Sequence, residues 1–253
     1  MNVVVCVKQV PDPNSAGQLD PATHRLKREG VEVVLDPGDE YGIEAGLRLA
    51  EASGGQVTVV SMGPEKAMDA IRKALAMGAA KGILVSDPAL AGSDALTTAK
   101  VLAAAIKREG FDLVVAATES TDGSIGVVPQ MVAELLGVPS VTFAKHVEAS
   151  NGTLKVNRQT EAGYDVVEAE LPAVLTVTAG VFEPRYPSLK GIMAAKSKPV
   201  DRLTAADLGV EPKPGEEVVS VQPAEERKAG EIVEDDGTAA ERIVAFLAAQ
   251  KVI

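Results

Sequence analysis

Four short apolar runs, rich in β-branched residues, alternate with longer segments whose apolar residues recur at helical spacing. The runs lie at residues 3–7, 57–60, 82–86 and 113–117. Continuous apolar runs of this length are typical of strands buried on both faces of a parallel sheet. Strands that alternate with helices in this way predict right-handed crossovers and helices on both faces. The pattern therefore predicts an α/β fold with a doubly wound, mostly parallel sheet.

The segments between these runs carry start and stop signals for helices. The turn Asp-Pro-Gly-Asp at 36–39 predicts a helix capped by an aspartate, which ends near residues 53–55. A second helix is predicted to end at Gly78, because glycine readily takes the conformation that closes a helix. Ser93 is the predicted cap of an alanine-rich third helix, and residues 127–136 form the predicted fourth.

After Pro139 the pattern of apolar and polar positions changes. Three short strands of mixed polarity are predicted at residues 143–147, 154–158 and 166–170. Asn151-Gly152 between the first two predicts a hairpin turn. The apolar run 171–177 then returns to the buried-strand pattern. We therefore expect a small antiparallel extension that covers one edge of the parallel sheet.

The C-terminal fifth of the chain follows neither pattern. Residues 204–234 carry prolines and many charges with little periodicity, which predicts an extended arm. Residues 238–250 predict a short amphipathic helix. This arm and helix have no obvious surface to pack on, which suggests a partner subunit. We therefore divide the chain into an α/β nucleotide-binding domain of residues 1–203 and a C-terminal arm and helix of residues 204–253.

Charge and composition narrow the classes of partner. The 253 residues carry a formal net charge of −11, which disfavours nucleic acid and anionic lipid as partners of the chain as a whole. No apolar run reaches the roughly 18 residues that a membrane span needs, and no signal-peptide pattern opens the chain. We expect a cytoplasmic protein without direct membrane insertion. The single cysteine, Cys6, excludes an internal disulfide and is expected to be a small buried hydrophobe.

Catalytic constellations are missing from the sequence. The two histidines, His24 and His146, have no other ligand at metal-binding spacing, and no nucleophile elbow is present. The polar loop 118–126 follows a predicted strand, at the edge where ligands of open α/β sheets bind. Within it the backbone amides of Gly123, Ser124 and Gly126 would suit a phosphate, although an ordinary capped turn is the alternative. These features favour a binding module over a self-contained catalyst.

Residues 181–196 form a stiff bend followed by a helical pattern. Prolines on both sides of Arg185-Tyr186 restrict the backbone, so the bend should be rigid. Leu189, Ile192 and Met193 then lie on one helical face. This apolar stripe has two interpretations, a contact with the protein core or a docking surface for another protein.

The segment 183–189, Glu-Pro-Arg-Tyr-Pro-Ser-Leu, together with residues 192–196, resembles the signature region of the electron transfer flavoprotein beta subunit. Further stretches match this family in the same order along nearly the whole chain: residues 7–12, 61–64, 71–79, 158–163 and 171–174. The resemblance implies a Rossmann-like fold of the adenine-nucleotide-binding type. It also implies a heterodimer with an alpha subunit, with one FAD per heterodimer held mainly by that alpha subunit.

The family resemblance further implies a structural AMP on this chain. The residues expected to bind it are Cys6, Asp36, Asp39, Met62, Glu119, Asp122, Gly123, Ser124, Ile125, Gly126, Val127 and Val128. Some members bind a second FAD in this position and bifurcate electrons. The chain departs from that pattern at residues 124–126, so AMP is the preferred ligand and a second FAD is the alternative.

The implied function is that of an electron carrier and not of an enzyme. Such a carrier shuttles electrons from acyl-CoA dehydrogenases of fatty acid β-oxidation, and from related dehydrogenases, to a membrane quinone oxidoreductase. The implied recognition loop comprises Arg185, Tyr186, Pro187, Ser188, Leu189, Ile192 and Met193. Leu189 is the expected anchor, whereas Ile192 and Met193 could still be core contacts. The alternative from another class is an adenine-nucleotide-binding α/β protein without a redox role.

Overall fold

A computed structural model describes residues 1–15, 17, 19–222, 230 and 232–253. The predicted arm of residues 204–234 therefore falls partly outside the described residues, at 223–229 and 231. The described chain divides into two units, Met1–Val219 and Ser220–Ile253.

The strands alternate with helices as the apolar pattern predicts. The strands are β1 Asn2–Cys6, β2 Gln9–Pro11, β3 Leu19–Asp20, β4 Arg25–Leu26, β5 Val33–Leu35, β6 Gln56–Met62, β7 Lys81–Val85, β8 Leu113–Ala117, β9 Ser140–Ser150, β10 Thr153–Thr160, β11 Gly163–Glu170, β12 Ala173–Val177 and β13 Val200–Leu203. The α-helices are α1 Pro37–Ala52, α2 Met68–Met77, α3 Ala95–Glu109, α4 Val128–Leu136, α5 Leu189–Ala195 and α6 Ala239–Ala249.

The central sheet has the strand order β11-β10-β9-β12-β8-β1-β6-β7-β13. Within this strand order, every pair of neighbouring strands from β9 across to β13 is parallel. The pairs β9–β10 and β10–β11 are antiparallel and extend the sheet at one edge. Asn151 and Gly152 both have positive φ, at 51° and 80°, as a tight hairpin turn requires. The predicted doubly wound sheet and its antiparallel extension are confirmed.

Side chains of the central strand β1 divide the protein core into two layers. Val3 and Val5 pack in a cluster with residues of α1 and α2. Val4, between them, packs on the opposite face with residues of α3 and α4. Successive strand residues point to opposite faces, and a strand covered on both faces must be apolar throughout. This arrangement explains the continuous valine run at the start of the chain.

The helix caps agree with the sequence at α1 and differ at α3. Asp36 caps α1 by accepting a hydrogen bond from the backbone amide of Gly38. The predicted cap Ser93 is wrong: Asp94 accepts from the amide of Thr97 and caps α3. The hydroxyl of Ser93 instead donates to the carbonyl oxygen of Leu90. Both residue types cap helices well, so the sequence alone could not separate these neighbours.

The second unit contains the C-terminal helix α6, as the amphipathic pattern predicts. None of its residues, all of which lie within the described part of the chain, is buried. Its apolar side chains include Ile243, Val244 and Phe246, and each is more than half exposed. A search of the described residues finds no helix long and apolar enough to cross a membrane.

Candidate functional site

A cleft of about 1100 Å³ opens beyond the carboxyl ends of the central strands. The chain proceeds from β1 through β6 to β7 on one side, and β8 begins the other side of the sheet. The connections that leave these two neighbouring strands therefore run to opposite sides of the sheet. In open α/β sheets such a topological switch point leaves a crevice beyond the carboxyl ends of the strands. The walls come from the ends of β1, β6, β7 and β8 and from the loops that follow them.

The structure brings part of the predicted nucleotide site together on the cleft wall. The predicted residues that line it are Cys6, Asp39, Met62, Glu119, Ile125, Gly126 and Val128. The predicted residues outside this lining are Asp36, Asp122, Gly123, Ser124 and Val127. The predicted set therefore separates into residues that face the cleft and residues that stand behind it.

Asp36 stands behind the cleft and joins α1 to the loop after β8. Its side chain is fully buried. One carboxylate oxygen caps α1 by accepting from the amide of Gly38 at 2.9 Å, and the other accepts from the amide and hydroxyl of Thr121 at 2.8 and 3.1 Å. Since both oxygens already have partners within the chain, the contacts of Asp36 are structural.

Asp122 also lies behind the cleft lining, where its carboxylate pairs with two positively charged side chains. Its carboxylate accepts from the Lys8 ammonium at 2.6 Å and forms a second ion pair with Arg28. Burial alone would raise the pKa of Asp122, but the hydrogen bonds from Lys8 and Arg28 outweigh it and hold the pKa below its usual value. Lys8 and Arg28 themselves line the cleft.

Asp39 and Cys6 form a desolvated pair on the cleft wall. Burial, together with the negative charge of Asp36, raises the pKa of the Asp39 carboxyl well above its ordinary value. Asp39 accepts a hydrogen bond from the Lys8 amide at 2.7 Å. Burial and the charge of Asp39 raise the pKa of the Cys6 thiol to about 12. Cys6 is therefore a thiol at neutral pH, which does not suit a nucleophile. Its side chain is partly buried, so the small buried hydrophobe expected from the sequence is confirmed only in part.

The loop before α4 uses two of its amides internally. The amides of Gly123 and Ser124, proposed from the sequence as phosphate ligands, donate to the carbonyl oxygen of Ser120 at 3.3 and 2.8 Å. The amides of residues 125–127 have no hydrogen-bond partner among the described residues. Ser124 and Gly126 have positive φ, at 47° and 64°. Of the three amides that the sequence suggested for a phosphate, those of Gly123 and Ser124 are therefore occupied, whereas that of Gly126 is free together with its two neighbours.

The residues of the opposite wall of the cleft were not predicted from the sequence. This wall is formed by the turn after β6, by the turn after β7 and by the first turns of α3, with lining residues Gly63, Pro64, Ser86, Asp87, Leu90 and Thr98. The available signal was the position of these turns, because they directly follow two predicted parallel strands. Only Met62 was predicted on this side.

The segment after β12 presents apolar side chains to solvent. Tyr186 is 94% exposed, Leu189 84% and Met193 67%. Ile192 is also exposed, at 45%, so the interpretation of Ile192 and Met193 as core contacts is wrong. Pro187 and Ser188 lie between Tyr186 and α5, and the Ser188 hydroxyl caps α5 by accepting from the amide of Gly191. We call residues 183–195 the docking segment, after the partner contact that the sequence predicts for part of it.

The helix of the docking segment lies tightly on α2. A Cβ atom on Gly191 would lie 2.4 Å from the carbonyl oxygen of Ala76, so only glycine allows this approach. Arg72 donates to the carbonyl oxygen of Ala195 at the end of α5. Lys198 donates to the carbonyl oxygens of Leu75 and Ala79 at the end of α2, at 2.9 and 2.7 Å. The exposed side chains of the docking segment therefore project from a helix that is tightly packed on α2.

Arg185 differs from the other residues predicted to contact a partner, because its side chain turns inward. Its guanidinium forms ion pairs with Glu44 at 2.8 Å and Glu51 at 2.6 Å, both on α1. Burial alone would raise the pKa of Glu44, but hydrogen bonds from Arg185 and Arg48 lower it. The Arg185 side chain is one-third exposed, whereas that of Glu44 is 1% exposed.

The doubly wound sheet and the cleft at its switch point define an α/β fold of the class that binds ligands beyond the carboxyl ends of its strands. A family model described as the electron transfer flavoprotein domain matches residues 23–208. The chain belongs to the electron transfer flavoprotein family, and its similarity extends over the whole length of beta subunits.

Three relatives illustrate this similarity. Electron transfer flavoprotein subunit beta of Mycobacterium tuberculosis H37Rv is 44% identical, and the alignment covers 100% of this chain and 99% of the relative. The protein of the same name from Thermoanaerobacterium thermosaccharolyticum is 41% identical, with 92% of each chain covered. Caffeyl-CoA reductase-Etf complex subunit CarD of Acetobacterium woodii is 39% identical, with 84% of this chain and 82% of the relative covered.

Proposed function

We propose that this chain is the beta subunit of a heterodimeric, cytoplasmic electron transfer flavoprotein. With its alpha subunit it shuttles electrons from acyl-CoA and related dehydrogenases to a membrane quinone oxidoreductase. The observation that carries the proposal is the similarity to beta subunits over the entire chain. The FAD, one per heterodimer and held mainly by the alpha subunit, supplies the electron-accepting chemistry when bound.

The cleft at the switch point fits AMP, which we propose as its structural ligand. Its volume of about 1100 Å³ accommodates a mononucleotide. The free amides of residues 125–127, which lead into α4, suit the phosphate, and the Lys8 and Arg28 side chains add positive charge to the same cleft. Cys6, Met62 and Val128 provide apolar surface for the adenine. Asp36 and Asp122 contribute by holding this wall in shape.

The docking segment is the proposed contact with the dehydrogenases, and Leu189 is its anchor. Complete burial of one leucine contributes about 1.5–3 kcal/mol. A micromolar complex requires roughly 8 kcal/mol, so other contacts must add to the anchor. Tyr186, Ile192 and Met193 offer such contacts, because they are exposed beside Leu189. A weak complex suits an electron carrier, which must dissociate after each transfer.

A second candidate is an electron-bifurcating relative that holds a second FAD in the cleft. The size of the cleft leaves room for this larger ligand, because about 1100 Å³ lies just above the roughly 300–1,000 Å³ that is usual for ligand pockets. A third candidate is an adenine-nucleotide-binding protein without a redox role. The three differ in the nucleotides that the purified protein contains.

Nucleotide content tests the proposal directly. The chain is co-expressed with its alpha subunit, the complex is purified and denatured, and released FAD and AMP are quantified by chromatography. We expect a yellow heterodimer with one FAD and one AMP. Two FAD without AMP would establish the bifurcating candidate. A colourless chain that binds no alpha subunit would reject both flavoprotein functions and leave the third.

A further inference from the structure

We propose that Arg185 is a positioning residue: it fixes the docking segment to α1 and does not itself contact the dehydrogenase. The inference rests on the proposed docking function and specifies how the chain prepares that surface. It assigns a role to Glu44 and Glu51, which lie on α1 far from the docking segment in sequence.

All three guanidinium nitrogens of Arg185 donate hydrogen bonds to carboxylates of α1. Nε donates to Glu44 at 2.8 Å, Nη1 donates to Glu51 at 2.6 Å, and Nη2 donates to both carboxylates at 3.2 and 3.1 Å. The backbone amide of Arg185 also donates to Glu44 at 3.2 Å. A partner carboxylate would therefore have to compete with two carboxylates of the chain itself for the same fork of donors.

Burial makes the Glu44 contact stronger than an ordinary surface ion pair. The Glu44 side chain is 1% exposed, and its oxygens accept from Arg185 and from Arg48 on the next turn of α1. A buried carboxylate that loses a partner retains its desolvation cost, so the contact resists opening. By contrast, Glu51 is largely exposed and adds a weaker contact.

Neighbouring contacts hold the docking segment on either side of Arg185. Before it, Arg48 lies over the ring of Phe182 at 4.9 Å from the ring centre. After it, Gly191 seats α5 on α2 at the carbonyl oxygen of Ala76. Between these points Arg185 ties the bend to α1. Leu189 and Tyr186 are consequently presented from an ordered backbone, and binding does not have to order it.

A double-mutant cycle separates positioning from direct contact. The variants are Arg185→Ala, Glu44→Gln and the double variant, each as the full heterodimer, with KM and kcat measured for the heterodimer as acceptor of an acyl-CoA dehydrogenase. We expect Arg185→Ala to raise KM about tenfold, equivalent to about 1.4 kcal/mol, with kcat and flavin content unchanged. In the Glu44→Gln background, Arg185→Ala should raise KM by less than half that factor, because its partner is already lost. An equal factor in both backgrounds would establish a direct partner contact and overturn the proposal.

Hydrogen exchange tests the attachment of the docking segment to α1 by Arg185, here called the clamp, without any dehydrogenase. The hydrogen-bonded amides of the docking segment, at position 185 and at Gly191, should exchange faster in Arg185→Ala than in wild type, at least tenfold at position 185, and Glu51→Gln should have a smaller effect. Arg202→Ala is the matched control, since it removes an exposed ion pair with Glu65 elsewhere and should leave these amides unchanged. Unchanged exchange in Arg185→Ala would contradict the clamp. If exchange rises but Leu189→Ala leaves KM unchanged, the docking function fails while the clamp stands.

Discussion

The cleft and the docking segment use charged and apolar side chains in opposite ways. In the cleft wall, Asp36 and Asp122 are buried behind the surface, and Lys8 and Arg28 line the open space. In the docking segment the charged Arg185 turns inward, and apolar side chains such as Leu189 face solvent. Positive charge in a cleft suits a phosphate, whereas exposed apolar side chains on an ordered base suit contact with another protein. In both regions a largely buried carboxylate pairs with a partly exposed cation and ties two parts of the chain together.

Asp36→Ala should have the largest effect, because it removes support from behind the cleft. The change removes the cap of α1 and leaves the Thr121 amide and hydroxyl without their buried acceptor. We expect the free energy of unfolding to fall by about 2–4 kcal/mol, as expected for a lost cap and lost hydrogen bonds to a charge. Denaturant unfolding of the heterodimer measures it. A loss under 0.5 kcal/mol would show that Asp36 is not structural.

Leu189→Ala should change docking without changing the fold. Loss of the anchor is expected to cost up to about 1.5–3 kcal/mol, or a tenfold to hundredfold rise in KM for the dehydrogenase reaction. Flavin content and the free energy of unfolding should match wild type. Leu96→Ala, which truncates another exposed leucine on α3, is the control and should leave KM unchanged. Equal KM values for both variants would reject the anchoring role.

Gly191→Ala tests whether the base of the docking segment matters as much as its exposed side chains. The new methyl group would lie 2.4 Å from a backbone oxygen of α2, so α5 must move. We expect a loss of about 1–3 kcal/mol in unfolding free energy and a higher KM, although no exposed side chain changes. Crystal structures of both forms would show the displacement. An unchanged position of α5 would contradict the tight packing.

The two cleft carboxylates Asp39 and Asp122 should respond to pH in opposite directions. The folded state raises the pKa of Asp39, so its favourable contribution is present at acid pH and is lost as pH rises through the folded pKa. Asp39→Asn should therefore stabilise the protein more at pH 8 than at pH 5. The folded state lowers the pKa of Asp122, so its contribution is present above the unfolded pKa and is lost as pH falls through the folded pKa.

Denaturant unfolding of both asparagine variants between acid and alkaline pH measures these slopes. Asp122→Asn should destabilise at neutral pH and approach wild type in acid. Each variant serves as the control for the other, because the two side chains lie in the same cleft wall. Slopes of the same sign for both variants would contradict the assigned environments.

Local patterns made the sheet predictable, whereas the site depends on contacts that no local pattern encodes. The valine run at 3–7 and the turn at 36–39 each indicate an element from neighbouring residues alone. The pairing of Arg185 with Glu44 joins residues 141 positions apart, so spacing could not reveal it. Similarly, the Ser120 carbonyl occupies the amides of Gly123 and Ser124 through a turn that the sequence does not distinguish from an open loop.

The family resemblance grouped residues whose side chains have different environments in the structure. It placed Asp36 and Asp39 together as nucleotide ligands, and the structure shows Asp36 bonded on both oxygens while Asp39 lines the cleft. It placed Arg185 beside Leu189 as a docking residue, and the structure shows the Arg185 guanidinium paired with carboxylates of α1 while the Leu189 side chain is exposed. Side-chain direction follows from tertiary packing, which a motif does not contain.

Flavin reduction in the purified heterodimer tests the central claim most directly. The complex of this chain with its alpha subunit is mixed, without oxygen, with an acyl-CoA dehydrogenase and its substrate, and flavin absorbance is followed in a stopped-flow instrument. We predict rapid loss of oxidised-flavin absorbance in wild type and a tenfold or greater slowing in Leu189→Ala at subsaturating dehydrogenase. A flavin that stays oxidised in the wild-type heterodimer would contradict the proposed electron transfer from acyl-CoA dehydrogenases.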